Sequence, residues 1–278
     1  MKLTPSQLQK YDKSGYVVID CPFSNKLSED CLRAVDKMAT DPVSPEFDTQ
    51  GNHFRLAPQF PGSFWCGLDH SLPFLQVILH AEILELARQM ADDEDIYLRN
   101  GGINELGPNN SFWWHRDSDD NYTEFMHYFT GATMQNGCLR VIPGSHLGSI
   151  GHLNDEVLKK RREQKYPVEH HAEGWKDVEL PGEIPIEIQP DQLLVRSSLI
   201  YHSTSLNSTA DGRLMSHWLF RSARFDDHRF RFENVLTPEL LEKLSQEQKM
   251  PLWLERDFQI SKAYREEQEK EKLTWGVI

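Results

Sequence analysis

Eight short, strand-like runs fill the chain from about residue 95 to residue 225, and they constrain its fold more than any other feature. They are DIYLRN, SFWWHRD, TEFMHYFTGAT, GCLRVIPGS, EIPIEI, QLLVRS, LIYHS and RLMSHWLFRSARF. β-Branched and aromatic residues dominate them, and these suit a pleated, half-buried surface. Turn clusters separate the runs: GPNN, QNG, PGSH, QPD and ADG. Their Gly, Pro, Asn and Asp residues supply the backbone angles that reverse a strand. Short strands in series, with one helical insertion (NDEVLKKRREQKY, 154–166), point to antiparallel sheets packed as a sandwich or jelly roll.

The flanks are helical. Thr4 is placed to cap a helix with Pro5 in its first turn, and the helix stops at Gly15. YVVID follows as a short strand, and SEDCLRAVDKMA reads as a second helix starting at Ser28, with Leu32, Val35 and Met38 on one face. Residues 41–70 are rich in Pro, Gly and aromatics and are expected to form a long ordered loop. Residues 72–91 read as one helix or two short ones, TPELLEKLSQEQK as a late helix, and YREEQEKEKL as a solvated charged tail. The expectation is one domain over 1–278. It divides into a helical N-terminal part with a lid loop (1–94), a β core (95–225) and a C-terminal helical extension (226–278).

Charge and composition exclude several classes. The formal net charge is −13, which disfavours a nucleic-acid partner, because phosphate contacts need clustered Lys and Arg. The longest apolar run, LPFLQVILHAEILELA, contains His80, Glu82 and Glu85, so it is too polar to span a membrane. Cys21, Cys31, Cys66 and Cys138 are scattered without a CxxC pair, which suggests reduced thiols. The N-terminus lacks the apolar core of a signal peptide. The cytoplasm is the expected compartment, and the protein is expected to be a monomer or homodimer.

Within SFWWHRDSDD, His115 and Asp117 are separated by one residue. On a strand, residues i and i+2 share a face, so both side chains can converge on one ion, while Arg116 points away from it. Two His and one carboxylate on one side of the metal is the ligand set of non-haem Fe(II) oxygenases, with the other side open. His-X-Asp alone occurs by chance in many proteins. His202, 85 residues beyond Asp117 in SSLIYHSTS, supplies the second imidazole. Arg213 follows eleven residues later, beyond the turn TADGR. Its planar fork can grip a carboxylate in two places, and a 2-oxo dicarboxylic acid would offer one while its keto-acid end meets the iron.

Together with LTPSQLQKYDKSGYVVI, WHRD and NGCLRVIPGSH, these residues resemble the phytanoyl-CoA dioxygenase family of Fe(II)/2-oxoglutarate-dependent oxygenases. The resemblance runs over roughly residues 3–222, and NGCLRVIPGSH is its most specific part. It implies a double-stranded β-helix, a jelly roll of the cupin type. It implies Fe(II) held by His115, Asp117 and His202, with 2-oxoglutarate and O₂ as cosubstrates and Arg213 on the far carboxylate. Thr204 matches a position where the family often carries a hydroxyl that assists this Arg, and Asn104 one where some members place a polar cosubstrate contact. Related halogenases have Ala or Gly where this chain has Asp117, so the resemblance favours hydroxylation of a C–H bond.

The substrate is expected to be a small molecule, such as an amino acid derivative or a secondary-metabolite intermediate. On strand alternation, Trp113 shares the face of His115 and Asp117 and can form a pocket wall, while Phe112 and Trp114 point the other way. The loop GNHFRLAPQFPGSFW can cover the mouth, with Arg55 meeting a substrate charge. His146 belongs to the PGSH turn, and His217 shares the strand parity of Arg213. Desaturation, epoxidation and ring formation use the same ligands. A non-redox cupin-like protein and a zinc hydrolase are the readings from other classes.

Overall fold

A computed structural model describes residues 1–40, 55–56, 64–66, 72–163, 178–222, 236 and 238–252. Helix α1 (Pro5–Ser14) begins as the sequence indicates. The Thr4 hydroxyl accepts from the Gln7 amide, and the Gln7 side chain accepts from the Thr4 amide. Gly15 ends the helix at φ 83°, where a Cβ would lie 2.7 Å from the His146 ring. Helix α2 (Asn25–Thr40) starts three residues before the expected Ser28. The Ser24 hydroxyl accepts from the Leu27 amide, so Ser24 takes the capping role that the capping-box pattern assigns to Ser28. The 72–91 segment is two helices, α3 (Leu72–Ile78) and α4 (Ala81–Ala91).

The strands form two antiparallel sheets. The large sheet has the order β1-β9-β6-β11-β4-β3-β2. Its members are β1 (Tyr16–Asp20), β9 (Gln192–Ser197), β6 (Thr123–Tyr128), β11 (Arg213–Ser222), β4 (Ile96–Leu106), β3 (Phe64–Cys66) and β2 (Arg55–Leu56). The small sheet is β5 (Phe112–His115), β10 (His202–Thr204), β7 (Leu139–Val141) and β8 (Ile184–Ile186). All eight expected runs contain a strand. β4 extends past the expected end of DIYLRN to Leu106, because it pairs with β11 over its whole length. A register shift at Leu219/Phe220 leaves Arg99 as an extra residue in β4, a bulge of the kind that twists a long strand.

Alternation along these strands sets the layers. Phe125, Val195, Trp218 and Phe220 face α2, α3 and α4, closing a core with Cys31, Phe74, Leu75, Ile83 and Leu84. Met126, Tyr128 and Leu194 face the other way, against Leu139, Val141 and Ile186 of the small sheet. Helix α5 (Gly151–Glu163) covers the outer side of the small sheet, where Val157 packs with Trp114 and Tyr201. It starts three residues before the expected insertion, and residues 164–166 of that insertion fall outside the described residues. So do most of the expected lid loop and the charged tail. Among the described residues no helix is long and apolar enough to cross a membrane, and Cys21, Cys31 and Cys138 are free thiols.

Candidate metal centre

The small sheet brings the sequence-distant histidines together. β10 runs antiparallel to β5, and His202 falls directly opposite His115. Each ring is oriented by its own backbone. His115 Nδ1 lies 2.8 Å from the Trp113 carbonyl, and His202 Nδ1 lies 3.0 Å from the Ile200 carbonyl. An Nδ1–H that donates to a carbonyl fixes the tautomer and leaves the Nε2 lone pair available for a metal. Both Nε2 atoms face Asp117: His115 Nε2 is 3.2 Å from Oδ1 and His202 Nε2 is 3.7 Å from Oδ2. One ligand atom from each of the three residues lies within 4.8 Å of the other two.

The electrostatics suit a cation. Burial opposes ionisation of Asp117, but the Arg196 guanidinium and the two imidazoles outweigh it and hold the carboxyl well below its usual range. Burial and the nearby Arg196 charge hold the His202 imidazole well below its usual value, so it is neutral, the form that binds metals. Two imidazoles and one carboxylate are a donor set suited to Fe(II).

Arg213 opens β11 and points into the barrel. It is 3% exposed, its guanidinium stands 4.8 Å from the centre of the Tyr128 ring, and its Nε has no hydrogen-bond partner. Its Nη1 approaches Met215 Sδ at 3.9 Å. Among the described residues no carboxylate lies within ion-pair distance of it. A guanidinium buried without an anion is strongly unfavourable, so an anionic partner would stabilise it there.

A family model for phytanoyl-CoA dioxygenase (PhyH) matches residues 11–215, well over half of the chain. The chain belongs to the phytanoyl-CoA dioxygenase family. This PhyH-family protein is therefore a 2-oxoglutarate-dependent oxygenase that uses Fe(II). Solved structures share its fold at low identity. EctD from S. alaskensis, crystallised with 2-oxoglutarate and 5-hydroxyectoine, superposes with a TM-score of 0.61 at 18% identity, covering 80% of this chain and 77% of its own. HygX from Streptomyces hygroscopicus, with nickel and 2-oxoglutarate bound, gives 0.61 at 15% identity, covering 80% and 89%. The epimerase SnoN from nogalamycin biosynthesis gives 0.54 at 15% identity, covering 78% and 82%. No curated protein matches the sequence significantly.

The other residues named from the PhyH-like sequence fall as follows. Asn104 pairs with Met215 on β4, one interior position from Arg213 and its partner Leu106. Thr204 is half-buried on β10 opposite Leu139 and Phe112. Trp113 is half-buried with its ring centre 6.0 Å from that of His115. Phe112 does not point away as alternation requires. Its ring stacks on Trp113 at 3.9 Å and lies 5.0 Å from His115. The register of β5 and β10 shifts between His202 and Thr204, and that irregularity breaks the alternation. Trp114 does face outward, stacked on Tyr201. Arg55 pairs with Trp65 through the backbone, and its side chain lies outside the described residues.

Sequence reasoning missed Arg196 and Glu124. These are register partners on β9 and β6, both on the barrel face beside Asp117. The available signal was a charged residue in each of two otherwise apolar runs, QLLVRS and TEFMHYF, in the strand parity of buried Leu194 and Met126. His217 does face the barrel interior, opposite Met126. Burial lowers its imidazole to about 4.

Proposed function

We propose that this enzyme oxidises an unactivated C–H bond of a small molecule, with Fe(II) held by His115, Asp117 and His202. The observation that carries this reading is the convergence of three ligand atoms within 4.8 Å at the end of a barrel whose other interior face carries the buried Arg213, which has no carboxylate within ion-pair distance among the described residues. Fe(II) with O₂ supplies the oxidising power, at the expense of 2-oxoglutarate, which leaves as succinate and CO₂. The protein's part is orientation and exclusion of water. Arg213 binds the far carboxylate of 2-oxoglutarate by two parallel N–H donors, with the Tyr128 face behind it. Asn104 and Thr204 contribute polar contacts on the same interior. Trp113, together with Phe112, forms the substrate-side wall next to His115.

Hydroxylation is the outcome proposed. Asp117 occupies the position that related halogenases leave small, so there is a carboxylate where a halide would bind. The substrate class is an amino acid derivative or a secondary-metabolite intermediate. The bound 5-hydroxyectoine of EctD and the hygromycin B bound by HygX are small polar molecules of this general kind. SnoN is an epimerase, which makes a second outcome worth scoring on the same products. A zinc hydrolase or a non-redox cupin would have no use for a buried guanidinium with no carboxylate within ion-pair distance among the described residues.

The test is anaerobic addition of Fe(II) and 2-oxoglutarate to the apoenzyme. A visible charge-transfer band is expected, and its absence together with no calorimetric binding sinks the proposal. A panel of candidate substrates, scored by succinate release and by product mass, then identifies the substrate. A mass gain of one oxygen supports hydroxylation, loss of two hydrogens means desaturation or ring closure, and unchanged mass with altered stereochemistry means epimerisation.

A further inference from the structure

Asp117 lies on the loop after β5, outside any regular element. Such a carboxylate is free to rotate unless a neighbour holds it. The neighbour is Arg196, which is 3% exposed and directly opposite Glu124 in the register of β9 and β6. Its Nη2 donates to Asp117 Oδ2 at 2.5 Å and to Glu124 Oε2. Its Nε donates to Met126 Sδ at 3.2 Å, and its Nη1 lies 3.4 Å from His202 Nδ1. The guanidinium is thus held on three sides by rigid strands. Glu124, 5% exposed, meets the same Nη2 across the strands, so two carboxylates share one guanidinium and Asp117 Oδ2 is tied to the large sheet through it.

We propose that Arg196, clamped by Glu124, is a positioning residue that presents Asp117 to the metal through Oδ1 alone. The proposal rests on Asp117 being a ligand. Arg196 engages Oδ2, which also faces His202 Nε2 at 3.7 Å, whereas Oδ1 has no guanidinium contact and lies nearer an imidazole, 3.2 Å from His115 Nε2. A carboxylate restricted in this way binds through one oxygen and leaves more of the metal's surface for cosubstrate and O₂. Groups that orient a ligand from behind typically contribute 10–100-fold to metal affinity. Lys at 196 would not replace Arg, because an ammonium has no planar fork to span both carboxylates.

The experiment is an anaerobic calorimetric titration of Fe(II) into the full-length apoenzyme, followed by the visible spectrum after 2-oxoglutarate is added. It compares wild type with Asp117→Ala, Arg196→Met, Arg196→Lys and Glu124→Gln. Arg196→Met is expected to weaken Fe(II) binding roughly 10–100-fold and to shift the charge-transfer band, with 2-oxoglutarate affinity at saturating metal little changed. Glu124→Gln, which keeps an acceptor, is expected to give a smaller loss, and Arg196→Lys a loss close to that of Arg196→Met. Wild-type Fe(II) affinity and an unshifted band in folded Arg196→Met overturn the proposal while leaving Asp117 as a ligand. Wild-type affinity in Asp117→Ala overturns the ligand assignment itself. If Arg196→Met does not fold because Glu124 is left unpaired, the double variant Arg196→Met/Glu124→Gln removes that buried charge. Weak metal binding in the double variant supports the proposal, and wild-type binding overturns it.

Discussion

His202 stands directly across from His115 in the β10–β5 ladder, with ring centres 4.2 Å apart. Neither imidazole can turn its Nε2 away without breaking the hydrogen bond of its Nδ1 to a backbone carbonyl. The pair is therefore preset before any metal arrives. Replacing either His by Ala is expected to remove the charge-transfer band and succinate formation while leaving the fold intact. His202→Ala protein that still forms succinate at the wild-type rate contradicts its assignment.

Arg213 opens β11 of the large sheet, while His115 and His202 lie on the small one, so the losses proposed for them are separable. Arg213→Ala is expected to weaken 2-oxoglutarate binding by about 2–5 kcal/mol, the range for truncating one side of a buried charge pair. Fe(II) affinity is expected to stay within about twofold. Calorimetry with each ligand in turn checks this, and equal losses of both count against the role given to Arg213.

Arg116, between His115 and Asp117, faces outward. Its Nη2 donates to the Ser145 carbonyl at 2.7 Å and the Gly148 carbonyl at 2.8 Å, pinning the PGSH turn. Hydrogen bonds from a charged group contribute about 1.5–3 kcal/mol, so Arg116→Ala is expected to lower Tm by roughly 4–8 °C. Iron affinity is expected to be unchanged. Scanning calorimetry and Fe(II) titration test the two halves separately, and a large loss of iron affinity would falsify the outward placement.

His127 is fully buried between Phe23 and Phe129, and its Nε2–H donates to the Pro190 carbonyl. Burial lowers its imidazole to about 4, against an ordinary value near 6.5 in the unfolded chain. The folded state thus binds fewer protons between those two values. The stabilisation is fully present above about pH 6.5 and is lost as the pH falls towards 4, by up to about 3 kcal/mol. Urea midpoints of the metal-free protein at pH 7, 5.5 and 4.5 are expected to fall, and less steeply in His127→Gln. Identical slopes for the two proteins reject the assignment, since His217 titrates in the same direction in both.

Much of the site was legible because its parts are local in sequence. His115 and Asp117 share a strand end, Arg213 follows the ADG turn, and the order of motifs carries the rest. The Thr4–Gln7 capping box and the Gly15 stop were also readable, since each depends on residues within one or two turns. The capping-box pattern points to Ser28 rather than Ser24 because both hydroxyls are within reach of a helix start, and only the backbone path decides which one caps. Phe112 was misplaced because strict alternation assumes an unbroken ladder, and the β5–β10 register shifts at that point.

Arg196 and Glu124 mark the limit of that reading. A charged residue in an apolar run signals an unusual environment, but nothing in QLLVRS or TEFMHYF names its partner. By itself the sequence determined the strand series and the turns between strands, because periodicity and turn chemistry act over a few residues, and the order of its motifs singled out three candidate metal ligands. Tertiary structure alone decided that β9 lies beside β6, so that Arg196 meets Glu124 and reaches Asp117. That pairing joins residues more than seventy positions apart, and only the register of the large sheet specifies it.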